Sequence, residues 1–131
     1  MARLLIVDDS RPLVELLELI LAKFGHEVVG HCTSVDQVLP AAQTGHDLVL
    51  MSLDLLRDIN ASLHVGLALT EALIERDARE RVLIFTDVEG QEYVDLARRA
   101  GAAGYTSRSG SVDDLLEAIA TVTAGGQHWP G

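Results

Sequence analysis

Two short acidic clusters hold the side chains of this 131-residue chain best placed to do chemistry: Asp8-Asp9-Ser10 near the start, and Ser52-Leu53-Asp54 further on. Carboxylates that converge repel one another unless a cation or a basic side chain compensates, and hard oxygen donors of this kind suit Mg2+. If the fold brings the two clusters together, Asp8, Asp9 and Asp54 make an acidic pocket, with Asp8 and Asp9 as ligands of a weak Mg2+ site. The plain alternative is that Asp8 and Asp9 only interact with the positive end of the helix that follows them. The arrangement of the elements decides between the two.

Short apolar runs alternate with amphipathic stretches from end to end: Leu4 to Val7, Glu27 to Val29, Leu48 to Met51, Val82 to Phe85 and Ala103 to Tyr105. Runs without polar alternation are what parallel strands covered on both faces require, and the segments between them are long enough for crossover helices. Ser10 and Pro12 open the first helix, Leu13, Leu16, Leu17, Ile20 and Phe24 form its expected buried stripe, and Gly25 stops it. Ser34 with Gln37 reads as a capping box for the second helix, which Pro40 should kink or shorten. The third helix is expected from near Gly66 with Leu67, Leu69, Leu73 and Ile74 along it, and the fourth from about Gly90 to Ala100. The fifth is capped by Ser111, carries Leu115, Leu116, Ile119 and Val122 inward, and ends at Gly125-Gly126.

This is an α/β pattern, a strand and a helix repeated five times. A doubly wound five-stranded parallel sheet of order 2-1-3-4-5, with helices on both faces, puts the carboxyl ends of strands one and three side by side at the topological switch point. Asp8-Asp9 and Ser52-Leu53-Asp54 then face one crevice.

The length allows one core and not two, so residues 1–126 are expected to form a single domain and 127–131 a tail or the start of a linker. The net charge of -10 opposes a phosphate backbone and argues against direct nucleic-acid binding. The lone Cys32 cannot form an intrachain disulfide, and the first apolar run is too short for a signal peptide or a membrane span. A cytoplasmic location is expected, with Cys32 as a small semi-apolar residue. The five histidines, His26, His31, His46, His64 and His128, lack paired ligand spacing and are read as surface and packing residues. Asp8-Asp9-Ser10-Arg11-Pro12 offers bulky side chains where a dinucleotide would need bare backbone.

Taken together, Leu5-Ile6-Val7-Asp8-Asp9, Asp47-Leu48-Val49-Leu50-Met51, Phe85-Thr86 and Gly101-Ala102-Ala103-Gly104-Tyr105 resemble the receiver domain of two-component response regulators, from Arg3 to Gly126. The ending, Leu115 to Ile119 and on through Gly126, resembles the subtype followed by a LuxR-type helix-turn-helix. The resemblance implies a flavodoxin-like fold and a phosphorelay module without enzyme activity of its own. In such a module a histidine kinase passes a phosphoryl group to an aspartate, Mg2+ assists, and Thr86 and Tyr105 reposition to change a binding face. Without the resemblance, Thr86 and Tyr105 would read as core residues of neighbouring strands.

Three departures qualify what is carried over. The acceptor position holds Ser52, a neutral hydroxyl where an ionised carboxylate would be nucleophile and metal ligand, so the position is degenerate and metal affinity should fall. Arg108 stands where a lysine is usual, and its planar fork is suited to gripping Asp8 or Asp9; a contact to one of them is expected. From Ser52 to Gly66 is 14 positions (66 - 52), about twice what the family needs, which makes the extra residues a lid candidate. Asp54, two residues beyond Ser52, is the alternative acceptor. The expectation is an atypical pseudo-receiver that signals through protein binding: to itself through the face of helix four, strand five and helix five, to a histidine kinase, or to an effector domain. A receiver that still accepts phosphate at Asp54 or Ser52 with Mg2+ is the competing reading.

Overall fold

The structure, a computed structural model, describes residues 1–53 and 64–130. The chain runs β1 (Arg3–Val7), α1 (Arg11–Lys23), β2 (Glu27–Cys32), α2 (Val35–Ala41), β3 (Leu48–Met51), α3 (His64–Arg76), β4 (Val82–Thr86), α4 (Gln91–Ala100), β5 (Gly104–Ser107) and α5 (Val112–Thr123). The strands form one parallel sheet in the order β2-β1-β3-β4-β5. This is the doubly wound, flavodoxin-like architecture expected from the alternating runs.

Side chains alternate along each strand, and the sheet therefore builds two cores. Leu5, Val7, Val49, Met51, Val82 and Ile84 pack with Val38, Leu73, Val94 and Ala97 on the side of α2, α3 and α4. Leu4, Ile6, Leu48, Leu50, Leu83 and Phe85 pack with Val14, Leu17, Leu21, Leu115, Ile119 and Val122 on the side of α1 and α5. Cys32, at the end of β2, belongs to the first core, and burial pushes its thiol pKa up. The β1–β2 pairing shifts register between Leu4 and Leu5, so that Leu4 faces Val28 but Leu5 faces Gly30, with Val29 as the extra residue.

The stripe expected on α1 is corrected. The buried residues are Val14, Leu17 and Leu21, whereas Leu16 is 53% and Phe24 50% exposed, and Leu13 and Ile20 are only partly covered. The helix is apolar around most of its circumference, so periodicity alone admits more than one inward face; the sheet takes the face that includes Val14. Leu13, Leu16 and Ile20 instead line a shallow groove against Val112 and Leu115 of α5. On α5, Leu115, Ile119 and Val122 are buried as expected, with Leu116 half-buried.

The boundaries move by a residue or two. Helix α3 is described from His64, two residues before Gly66, and α4 starts directly after Gly90. At α2 the Gln37 side chain accepts from the backbone N–H groups of Thr33 (2.7 Å) and Ser34 (3.3 Å), and the helix stops one residue after Pro40. Most of the lid candidate, including Asp54, lies outside the described residues.

One of the histidines has a packing role at the amino ends of the strands. His46 is half-buried with its side chain largely covered, Nε2 2.6 Å from the Glu80 carboxylate and Nδ1 2.7 Å from the Thr44 carbonyl; Arg76 bonds the same carboxylate at 3.3 Å. These groups clip the turn before β3 to the turn before β4, at the end of the sheet opposite the acidic crevice.

Candidate functional site

The carboxyl ends of β1, β3, β4 and β5 converge on one pocket. Asp8 follows β1, and its backbone N–H is held by the Cys32 carbonyl (3.0 Å) while its own carbonyl meets His31 Nε2 (2.9 Å). These bonds fix the turn and leave Asp8 buried, at 3% exposure. One carboxylate oxygen, Oδ1, accepts the Ser10 N–H at 2.8 Å, in the turn that lets Ser10 cap α1. The other, Oδ2, takes the guanidinium of Arg108.

Ser52 sits at the tip of β3, fixed by its N–H to the Val7 carbonyl at 3.0 Å. Its hydroxyl points into the same pocket, where Arg108 Nη2 donates to Ser52 Oγ at 2.9 Å. A single Nη2 group thus spans the Asp8 carboxylate and the Ser52 hydroxyl. Asp9 is half-buried, and Arg108 reaches Asp8 and not Asp9. Arg108 comes from the turn after β5 and is held at both ends: its backbone N–H bonds the Thr86 carbonyl at 3.0 Å, and its guanidinium carbon lies 5.7 Å from the centre of the Phe85 ring.

Thr86 and Tyr105 are both buried, and they meet at Val88. Thr86 Oγ1 accepts the Val88 N–H at 3.2 Å, and the Tyr105 hydroxyl donates to the Val88 carbonyl at 2.6 Å. Burial, with the nearby Tyr93 and Glu89, pushes the Tyr105 hydroxyl pKa up to about 12. A contiguous path therefore runs from Asp8 through Arg108, Thr86 and Val88 to Tyr105.

Reading the residues alone misses three features of the site. Val88 joins Thr86 to Tyr105 through main-chain groups, which no side-chain pattern reveals. Gly66 lets α3 approach the tip of β3: a Cβ there would lie 2.4 Å from the Ser52 carbonyl oxygen and 2.9 Å from Leu53 Cα. The third is the tail. His128 pairs with Gly104 as a parallel bridge, with its N–H on the Ala103 carbonyl at 3.0 Å and its carbonyl accepting the Tyr105 N–H at 2.9 Å. The Gly-Gly that ends α5 signalled the reversal but not its destination.

Among the described residues no group of three or more His, Cys, Asp or Glu side chains could hold a metal ion, and no helix is long and apolar enough to cross a membrane.

The response regulator receiver domain model matches residues 4–120 of the chain. The chain is 30% identical over 120 residues to the uncharacterized transcriptional regulatory protein YvfU of Bacillus subtilis, covering 91% of this chain and 58% of that protein. It is 33% identical to protein PilH of Pseudomonas aeruginosa, over 95% of this chain and 100% of that one. The transcriptional regulatory protein MctR of Rhizobium johnstonii is likewise matched over only 58% of its length, so the chain spans a little over half of these longer relatives. A crystal structure of a LuxR-family two-component response regulator from Aurantimonas superposes with a TM-score of 0.85 at 29% identity, over 98% of this chain and 89% of that one. With the sheet order, the crevice and these matches in agreement, the chain belongs to the response regulator receiver domain family.

Proposed function

We propose that this receiver domain is atypical and signals by protein binding, in a state set by an internal ion pair and not by an aspartyl phosphate. The observation that carries this reading is the position of Arg108 Nη2, between the Asp8 carboxylate and the Ser52 hydroxyl. An ordinary receiver reaction needs a carboxylate at position 52 to attack phosphorus and give an acyl phosphate. A serine hydroxyl is a weak nucleophile without an activating base, and its product would be a slowly hydrolysed ester. Among the described residues Asp8 is the carboxylate that shares Arg108 with Ser52, and its two oxygens are already engaged by Ser10 and Arg108. The same engagement disfavours Mg2+: the cation would have to displace a guanidinium from Asp8 and accept a neutral hydroxyl where an anionic ligand is needed.

The binding surface in this reading is the α4–β5–α5 face, which Thr86 and Tyr105 support from beneath, and its occupants are a second copy, a histidine kinase or an effector domain. Residues 1–126 are the receiver unit and 127–131 its tail or the start of a linker. Within a longer cytoplasmic transcriptional regulator, the unit would supply control and leave DNA contact to a LuxR-type helix-turn-helix. The relatives named as transcriptional regulatory proteins support that assignment.

Incubation with a small phosphodonor and Mg2+, followed by intact-mass measurement, tests the proposal. No stoichiometric gain of a phosphoryl group is expected. A gain abolished by Asp54→Asn or by Ser52→Ala would establish the competing reading, a phosphate-accepting receiver with a relocated acceptor.

A further inference from the structure

The edge of β5 is occupied by the chain's own tail, and three observations show how closely the two fit. The first is the bridge from His128 to Gly104, with main-chain hydrogen bonds on both sides of it. The second is Gly104 itself: a Cβ there would lie 2.8 Å from the His128 carbonyl oxygen and 2.9 Å from Leu83 Cδ1, so a side chain at 104 and a docked tail exclude each other. The third is Trp129, which packs against the core on the α4 side and has the Arg98 guanidinium carbon 4.5 Å from its ring centre. Beyond it, Pro130 lies with Val88, Val94, Tyr105 and Ser107 around a cleft of about 250 Å³. The tail therefore covers the start of the edge strand and shares a cleft with the residues that receive the path from Asp8.

A parallel sheet edge with its N–H and C=O groups free is a template for another extended segment. We propose that the β5 edge is a docking groove for an extended aromatic–proline segment, that residues 127–130 are its resident plug, and that the plug must leave before a second copy of the chain can pack on this face. The groove takes main chain at Ala103 and Tyr105, an aromatic ring under Arg98, and a proline beside Tyr105. Because Pro130 and Tyr105 share one cleft, rotation of the Tyr105 ring out of the core and release of the plug favour each other. This inference rests on the α4–β5–α5 reading above only for what the uncovered face binds; the docking of the plug stands on the contacts themselves.

Trp129 is the sole tryptophan of the chain and reports on the plug directly. Acrylamide quenching of its fluorescence is compared in the wild type, in His128→Pro, which removes the donor to Ala103 without touching the core, and in Arg98→Ala. Gly104→Ala is a further variant, and circular dichroism checks that each is folded. Sedimentation velocity on the same samples reads self-association. Protection of Trp129 in the wild type is expected, with quenching in His128→Pro rising to that of the urea-unfolded chain and the dimer fraction rising with it. Equal, full quenching in wild type and variants would overturn the docked plug. Release of Trp129 with no change in self-association would overturn its gating role, and would leave the phosphodonor result to judge the binding-module reading on its own.

Discussion

A guanidinium held between a buried carboxylate and a hydroxyl is a demanding arrangement, because the charge on Asp8 is tolerable at 3% exposure only while it is compensated. Arg108→Ala removes that compensation and should lower stability by about 3 kcal/mol, read as a lower urea midpoint. Arg108→Lys keeps the charge but cannot reproduce the fork, and should fall between the two. A loss no larger than that of an exposed arginine would mean that the pair does not order the pocket. Arg108 was legible in the sequence because a basic residue was expected at that position and only arginine's geometry suggests gripping a carboxylate. Its choice of Asp8 over Asp9 was not legible, because it depends on which side chain the turn after β1 sends inward. Tyr105 gives a second test at this scale. Its folded pKa of about 12 lies above the ordinary 10.0, so the stability it contributes is fully present below pH 10 and is lost as pH rises toward about 12. Cys32 is raised by burial too and adds its own alkaline loss. Tyr105→Phe should therefore flatten, but not abolish, the decline in urea midpoint across that window; an unchanged slope would mean that the hydroxyl titrates as freely in the fold as out of it.

Among the elements, the strands were the easiest to read and α1 the hardest, for one physical reason. A buried parallel strand needs only an unbroken apolar run, which Leu48 to Met51 supplies, whereas a helix must declare a face. Arg11–Lys23 is apolar at Leu13, Val14, Leu16, Leu17, Leu19, Ile20 and Leu21, an arc wider than the face the sheet covers. The structure separates the candidates sharply: Leu17→Ala should cost about 2–4 kcal/mol and Leu16→Ala less than about 1 kcal/mol by chemical denaturation. Comparable losses would place both residues in the core and reject the inward face described here. Gly66 shows the opposite case, a residue with an ordinary place at the start of a helix whose importance comes from a neighbour distant in sequence. Nothing local announces that the tip of β3 passes within reach of its missing Cβ.

At the scale of the whole molecule, charge and topology divide the labour. The excess of 20 acidic over 10 basic residues is spread over the chain and disfavours contact with nucleic acid, while the sheet order collects Asp8, Ser52, Thr86 and Arg108 at one end. That collection was legible because five strands with right-handed crossovers can take the doubly wound order, which sets the ends of the first and third side by side, and the family resemblance pointed to that order. The destination of the tail was not, since a short segment after Gly125-Gly126 reads equally well as a tail or as the start of a linker. The two rims of the sheet are consequently protected in different ways. One is paired by the tail at its first residue, Gly104. The other, β2, is the outer strand at which the pairing skips Val29, and a strand with such a kink offers an incoming β-ribbon no straight row of donors and acceptors. Lateral growth of the sheet into a fibril is thus resisted on that side by a single unpaired residue, and any association of this chain through its sheet is directed to the rim its own tail controls.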